Sequence, residues 1–188
     1  MSLIIKPSLC AEKSLFITTA TAVAVARAIE AVSDKKTGIK WVNDLFIDGK
    51  KVCGILVEGA ANQKTGLLDY AVIGIGVNVY EPESGFDAEI KDIAGAVFGK
   101  NNDNGNITRL AAEILNQLSD LLAEPDSKEI LNEYRNRSVV IGKKVDIIQD
   151  GSTASATVID IDDDAAIILE LSNGEVIKKI SGEISIRL

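Results

Sequence analysis

The sequence predicts an α+β fold in two parts: a mixed β-sheet with helices on one face, then a small β-barrel. Three observations predict it. Two stretches read as helices: Leu15 to Val32, alanine-rich and apolar nearly all round, and Ile107 to Leu122, where apolar residues recur at helical spacing. Between them, strand-like runs flank the turn signal Asp48-Gly49. From about Ser138 the texture changes to short alternating strands joined by polar turns.

Leu3-Ile4-Ile5 opens the chain as a strand with no loop or cap before it, so an upstream part of the domain is expected. Leu15 to Val32 is rich in alanine and apolar nearly all round, which predicts a buried helix. A short strand follows at Ile39 to Trp41, and Asn43-Asp44 reads as a turn. Leu45-Phe46-Ile47 and Val52 to Glu58 form the arms of the hairpin. Leu67 to Tyr80 is a strand interrupted by Gly74 and Gly76, where a bulge or a close backbone approach to a ligand is expected. Gly99 to Asn106 is a polar loop. The next helix sets Ile107, Leu110, Ala111, Ile114, Leu115, Leu118, Leu121 and Leu122 against Arg109, Glu113, Asn116, Gln117 and Asp120, and Pro125 stops it. Lys128 to Arg135 predicts one more short helix. The boundary falls near Arg137, dividing 1–137 from 138–188. Beyond it, Asp150-Gly151, Asp162-Asp163-Asp164 and Asn173-Gly174 separate about five strands, the pattern of a small barrel.

Composition removes several classes of function. The chain has 188 residues and no histidine, which excludes Ser-His-Asp and Cys-His nucleophiles and histidine-bound zinc. A net charge of −8 argues against non-specific nucleic-acid binding, which needs clustered Lys and Arg. Cys10 and Cys53 are too few for a disulfide scaffold or a cysteine-only zinc site, so no structural metal is expected; they read as reduced thiols of a cytoplasmic protein. The most apolar stretch contains Thr18, Thr19, Thr21, Arg27 and Glu30, unlike a membrane span, and no signal-peptide pattern opens the chain.

Two constellations carry candidate chemistry. The first is Lys40-Trp41-Val42-Asn43-Asp44, followed by Lys51 across the hairpin and then Gly54-Ile55-Leu56-Val57-Glu58. Its bland reading is a core tryptophan, a turn and solvated lysines. Its functional reading pairs an ammonium that holds an anionic substrate with a carboxylate that orients a nucleophile or takes its proton. The second is Ile73-Gly74-Ile75-Gly76-Val77-Asn78. It fails as a dinucleotide fingerprint, because Val79 stands at the third glycine position and no helix follows. It reads either as a buried bulged strand or as bare backbone facing a ligand, with the Asn78 amide reading a base. Asp160 to Asp164 resembles the start of a calcium loop, but Ala165 and Leu171 stand where glycine and glutamate are required, which leaves an acidic surface turn.

Together these motifs resemble the biotin–protein ligases, whose pattern is Lys-Trp-Pro-Asn-Asp, a hairpin, Lys-x-x-Gly-Ile-Leu-x-Glu, and later Gly-x-Gly-x-Asn. The end of the chain, Gly182-Glu183-Ile184-Ser185-Ile186-Arg187, is similar to the family's closing segment. The resemblance implies the biotin/lipoate ligase catalytic fold with a C-terminal SH3-like barrel. It implies a two-step reaction: biotin and MgATP give biotinyl-5′-adenylate, and a lysine of a biotin carboxyl carrier protein then takes the biotinyl group. On this resemblance Lys51 meets the biotin carboxylate and the developing phosphoryl charge, and Asp44 serves transfer. Gly54 and Gly74 meet biotin, with Ile55, Leu56 and Ile75 as the apolar wall of its pocket. Lys40, Trp41, Asn43, Asn78 and Arg187 surround the nucleotide. ATP, Mg2+ and biotin are the implied small molecules, and a homodimer through an exposed sheet edge is implied as well, with no membrane or nucleic acid as partner of this chain.

Val42 departs from the family's proline. The family's upstream Gly-Arg-Gly-Arg-x-Gly loop is not among these residues, nor is its optional DNA-binding domain. A charge-assisted hydrogen bond contributes about 1.5–3 kcal/mol, so a chain without that loop is expected to be inactive alone. Two other readings stand beside the ligase: a relative of the lipoate ligases, and a non-catalytic remnant that serves as an interaction module.

Overall fold

The computed structural model describes residues 1–100, 105–149, 152–180 and 183–186. The first sheet contains β1 (Ser2–Ile5), β2 (Gly38–Lys40), β3 (Asp44–Ile47), β4 (Lys50–Ala61) and β5 (Leu68–Val77). They lie in the order β1-β5-β4-β3-β2, each pair antiparallel. Parallel pairing enters through single bridges, Ile39 with Ser138 and Lys51 with Ala94, and this makes the sheet a mixed one. The hairpin forms where its sequence predicts. Asp48 and Gly49 have φ of 50° and 77°, the left-handed pair whose twist matches the flanking strands.

Three helices cover one face of this sheet: α1 (Leu15–Val32), α2 (Asn106–Leu121) and α3 (Lys128–Asn136). α1 packs on β3 and β4 and is itself covered by α2 and α3. That placement explains an apolar surface nearly all round. With a mean hydropathy of 1.6, Ala11–Val32 is long and apolar enough to pass for a membrane span. Here its α1 part is the core helix, and the two charges of α1 are ion-paired, Arg27 with Glu133 and Glu30 with Arg137. In α2 the buried stripe is Leu110, Ile114, Leu118 and Leu121, while Ile107 and Leu115 lie off it in solvent. The helix ends before Pro125 is reached. Ser127 caps α3 by accepting the Ile130 N–H.

After α3 the chain runs along β2. The Ile39 N–H donates to Arg137 O at 2.7 Å, and the Val139 N–H donates to Ile39 O at 2.9 Å. Gly38 permits this approach, since a Cβ there would lie 2.2 Å from Val139 Cγ1. The outer edge of β2 is thereby closed.

The second sheet holds β6 (Lys144–Gln149), β7 (Ser152–Ile161), β8 (Ile167–Leu171), β9 (Val176–Lys179) and β10 (Glu183–Ile186), antiparallel in the order β10-β6-β7-β8-β9. Val145, Ile147, Ala156, Val158, Ile161, Ile167 and Leu169 bury its inner face. The β7–β8 connection is the predicted acidic surface turn. The Asp162 carboxylate accepts the N–H groups of Asp164 and Ala166, and the Lys178 ammonium reaches Asp162 and Asp164 at 2.6 Å each. The Asp150-Gly151 turn lies outside the described residues.

Candidate functional site

The site sits on the sheet face opposite the helices. Strand register sets its first row: Lys40 pairs with Asp44, Asp44 with Gly54, and Gly54 with Gly76. Directly paired residues share a face, so a cation, a carboxylate and two bare backbone positions line up across four strands. Lys51 joins them through a β-bulge. Leu45 pairs with Cys53 but Phe46 pairs with Lys51, leaving Val52 as the extra residue. Without the bulge, Lys51 and Gly54 would point to opposite faces, because side chains alternate along a strand. With it, the Lys51 ammonium lies 2.6 Å from Asp44 Oδ1, the two side chains 44% and 17% exposed.

The glycines leave room for something else to touch this pair. A Cβ on Gly54 would sit 3.5 Å from Lys51 Nζ and 3.7 Å from Asp44 Oδ1. Gly74 and Gly76 approach only the backbone and Cβ of β4. No bulge occurs at either glycine, contrary to one of the two sequence readings; both pair regularly with Leu56 and Gly54. They fit the other reading, a stretch of strand with its backbone bare on one face.

A cleft of about 290 Å³ opens here, lined by Lys51, Val52, Cys53, Gly54, Gly76, Asn78, Ile90, Ile93 and Ala94. Its outer wall is the segment around Ile90–Ala94, which the sequence reading missed. That segment is pinned to the lysine itself: the Lys51 N–H donates to Ile93 O at 2.7 Å and the Gly95 N–H to Lys51 O at 2.8 Å. Its only sequence signal is two isoleucines three apart inside an acidic loop. The Asn78 amide donates to Gly95 O at 3.0 Å, holding the wall to the end of β5.

Three of the residues proposed to touch ligand are placed elsewhere. Ile55 and Ile75 are 2% and 4% exposed on the helix-facing side, packed in the core. Strand alternation turns them away from Gly54 and Gly74, so their side chains do not form a pocket wall; Leu56, on the glycine face, is 60% exposed. Trp41 is 3% exposed, and its indole N–H donates to Ala165 O at 3.0 Å, so the ring joins the two sheets and offers no face to a nucleotide. Asn43 is half-buried. Its amide donates to Ile55 O at 2.7 Å and its carbonyl accepts the Ile55 N–H at 2.9 Å, which locks the turn to β4. The peptide between Trp41 and Val42 is cis. Arg187 lies outside the described residues.

The neighbouring thiol of Cys53 is held in its neutral form. Burial, with the Asp44 charge beside it, pushes Cys53 up to about 12, so it stays protonated at neutral pH. Among the described residues no group of three His, Cys, Asp or Glu side chains comes together as a metal site. What the arrangement can do is hold an anion at Lys51 and keep a carboxylate within reach of whatever binds there.

Comparison with known proteins shows what the chain as a whole is similar to. The model of the biotin/lipoate A/B protein ligase family matches residues 1–78, and that of the biotin protein ligase C terminal domain matches residues 140–187. The bifunctional ligase/repressor BirA of Bacillus subtilis is 43% identical over 94 residues, covering 50% of this chain and 28% of that protein. The biotin–[acetyl-CoA-carboxylase] ligase of Mycobacterium tuberculosis is 26% identical over 160 residues, covering 84% of this chain and 56% of that protein. The chain thus spans between about a quarter and about half the length of these relatives. Among solved structures, the apo biotin protein ligase of Aquifex aeolicus superposes with a TM-score of 0.76 at 22% identity, covering 99% of this chain and 80% of that one. The same enzyme in complex with biotin and ATP superposes with a TM-score of 0.73 at 21% identity, covering 99% of this chain and 76% of that one. These likenesses are of fold.

Proposed function

We propose that this chain, which belongs to the biotin protein ligase family, carries the lysine and carboxylate of a ligase that activates biotin with ATP and passes it to a carrier-protein lysine. One observation supports this above the others: the Lys51–Asp44 pair at 2.6 Å, set on bare glycine backbone at the mouth of a cleft.

In the first step a biotin carboxylate oxygen bonds to the α-phosphorus of ATP, and pyrophosphate leaves with the electron pair of the broken P–O bond. Lys51 holds the carboxylate and then the negative charge that grows on the phosphoryl oxygens, an electrostatic role suited to an ammonium fixed in place. Gly54 and Gly74 let biotin lie against the strand backbone. Lys40 and Asn78 stand at the two sides of the row, toward the nucleotide; the resemblance adds Arg187 as a nucleotide contact. Mg2+ enters as the counter-ion of ATP. In the second step the carrier lysine amine attacks the acyl carbon and AMP leaves; Asp44 takes the proton that the amine loses. Residues 1–137 form the catalytic portion and 138–188 the SH3-like barrel, working in the cytoplasm beside a biotin-dependent carboxylase. A homodimer through a sheet edge would not use that of β2, which Arg137–Val139 closes.

The test is carrier biotinylation read by mass spectrometry, with biotin, MgATP and a biotin carboxyl carrier domain. It is run with the chain alone and with a Gly-Arg-Gly-Arg loop segment supplied in front. We expect modification in the second case, and its loss in Lys51→Ala, where biotinyl-adenylate should bind about 10- to 100-fold more weakly. Unmodified carrier in both formats sinks the ligase reading. Equal modification by the alanine variant removes Lys51 from the mechanism.

A further inference from the structure

Three consecutive residues form the turn that leads into Asp44, and each is tied to a different element. Trp41 donates to Ala165 O, beyond β7; Asn43 donates to Ile55 O on β4; and the Val42 carbonyl accepts the Tyr134 hydroxyl at 2.9 Å. Tyr134 comes from α3, 92 residues away, and has no exposed surface. It does not line the cleft. Burial, with the Asp44 charge adding to it, drives its phenol further above the ordinary tyrosine value, so it stays a neutral donor at any working pH.

We propose that Tyr134 is a positioning residue: by holding the Val42 carbonyl, it fixes where β3 begins and so places Asp44 opposite Lys51. The inference rests on the reading of Asp44 and Lys51 as the reacting pair. β2 and β3 are only three and four residues long, so few ladder bonds hold their register. The anchored turn between them supplies what the strands lack. A 2.6 Å charge-assisted contact tolerates little displacement, and a shift of the turn moves Asp44 with it. Phenylalanine at 134 keeps the ring and loses only the bond.

The experiment is amide hydrogen exchange by NMR on the full chain and its Tyr134→Phe variant. The Ile55 N–H bonds to Asn43 O across the turn and reports it directly, while amides in the middle of α1 report global opening. We expect Ile55 to exchange at least about tenfold faster in the variant, with α1 amides changed far less. In the carrier assay kcat should fall severalfold at unchanged KM for biotin. Leu131→Ala, a cavity on the buried side of the same helix, should speed both sets of amides together. The proposal is overturned if Tyr134→Phe speeds both sets by one factor, or if Leu131→Ala reproduces the Ile55-selective pattern. It is also overturned if Ile55 already exchanges freely in the unmutated chain, or if selective opening leaves kcat untouched. The exchange result stands apart from ligation: selective opening in a chain that never modifies carrier, with the loop supplied or not, supports the hold of Tyr134 on the turn and sinks the ligase reading instead.

Discussion

Glu30 shows how much a single side chain in α1 contributes to the scaffold behind the site. Burial alone would raise its pKa, but Arg137 and Thr37 outweigh that and hold the carboxyl down at about 2. Arg137 reaches Glu30 at 2.8 Å and Glu133 at 2.9 Å, and Glu133 also accepts from Arg27, so one network joins α1, α3 and the approach to β2. A carboxylate whose folded pKa is depressed stabilises the protein fully above its ordinary pKa of 4.5 and loses that contribution as pH falls toward 2. Glu30→Gln should therefore cost about 1–3 kcal/mol at pH 7, with the difference from the unmutated chain shrinking below pH 4.5. Urea denaturation at a series of pH values checks this; a difference that stays constant down to pH 3 contradicts it.

At the level of elements, two local irregularities matter more than the regular strands. The bulge at Val52 brings Lys51 onto the face of Gly54. The parallel run of Arg137–Val139 along β2 depends on Gly38 having no side chain. Gly38→Ala pushes a methyl group into Val139 Cγ1 and should destabilise by about 1–3 kcal/mol, the usual range for overpacking. Val139→Ala removes the obstructing atom, so a double-mutant cycle should return part of the loss in the double variant. Chemical denaturation of the four proteins measures it; strictly additive losses would mean that the two residues do not meet. The hairpin and all three helices are legible in the sequence, since Asp48-Gly49 and the runs of apolar residues are local signals. The bulge was not, because no residue type at Leu45–Cys53 marks it; the sequence pointed instead to Gly74 and Gly76, where pairing is regular.

Over the whole molecule, one core runs through both sheets, and Trp41 is where they join. It is the sole tryptophan, so its fluorescence reports that junction. In the unmutated chain the fluorescence and far-UV circular dichroism transitions should coincide on heating, as for one cooperative unit. Trp41→Phe removes the bond to Ala165 and should lower Tm by about 2–4 °C, for a loss near 1 kcal/mol in a chain of this size. Separate transitions for the two probes in the unmutated chain would show that the sheets melt independently.

The sequence by itself determined the kinds of elements, their order, the change of texture near Arg137 and the motifs that carry the chemistry. Apolar spacing, turn residues and short motifs are all written within a few neighbouring positions. Only the tertiary structure decided which motif residues face the cleft. The same alternation that turns Gly54 and Gly74 outward turns Ile55 and Ile75 into the core. Trp41 was claimed by Ala165, more than a hundred residues away, and Ile90–Ala94 became a wall by pairing with Lys51. Face and contact follow from register, bulges and long-range pairing, and those are properties of the packed molecule that no local stretch of sequence records.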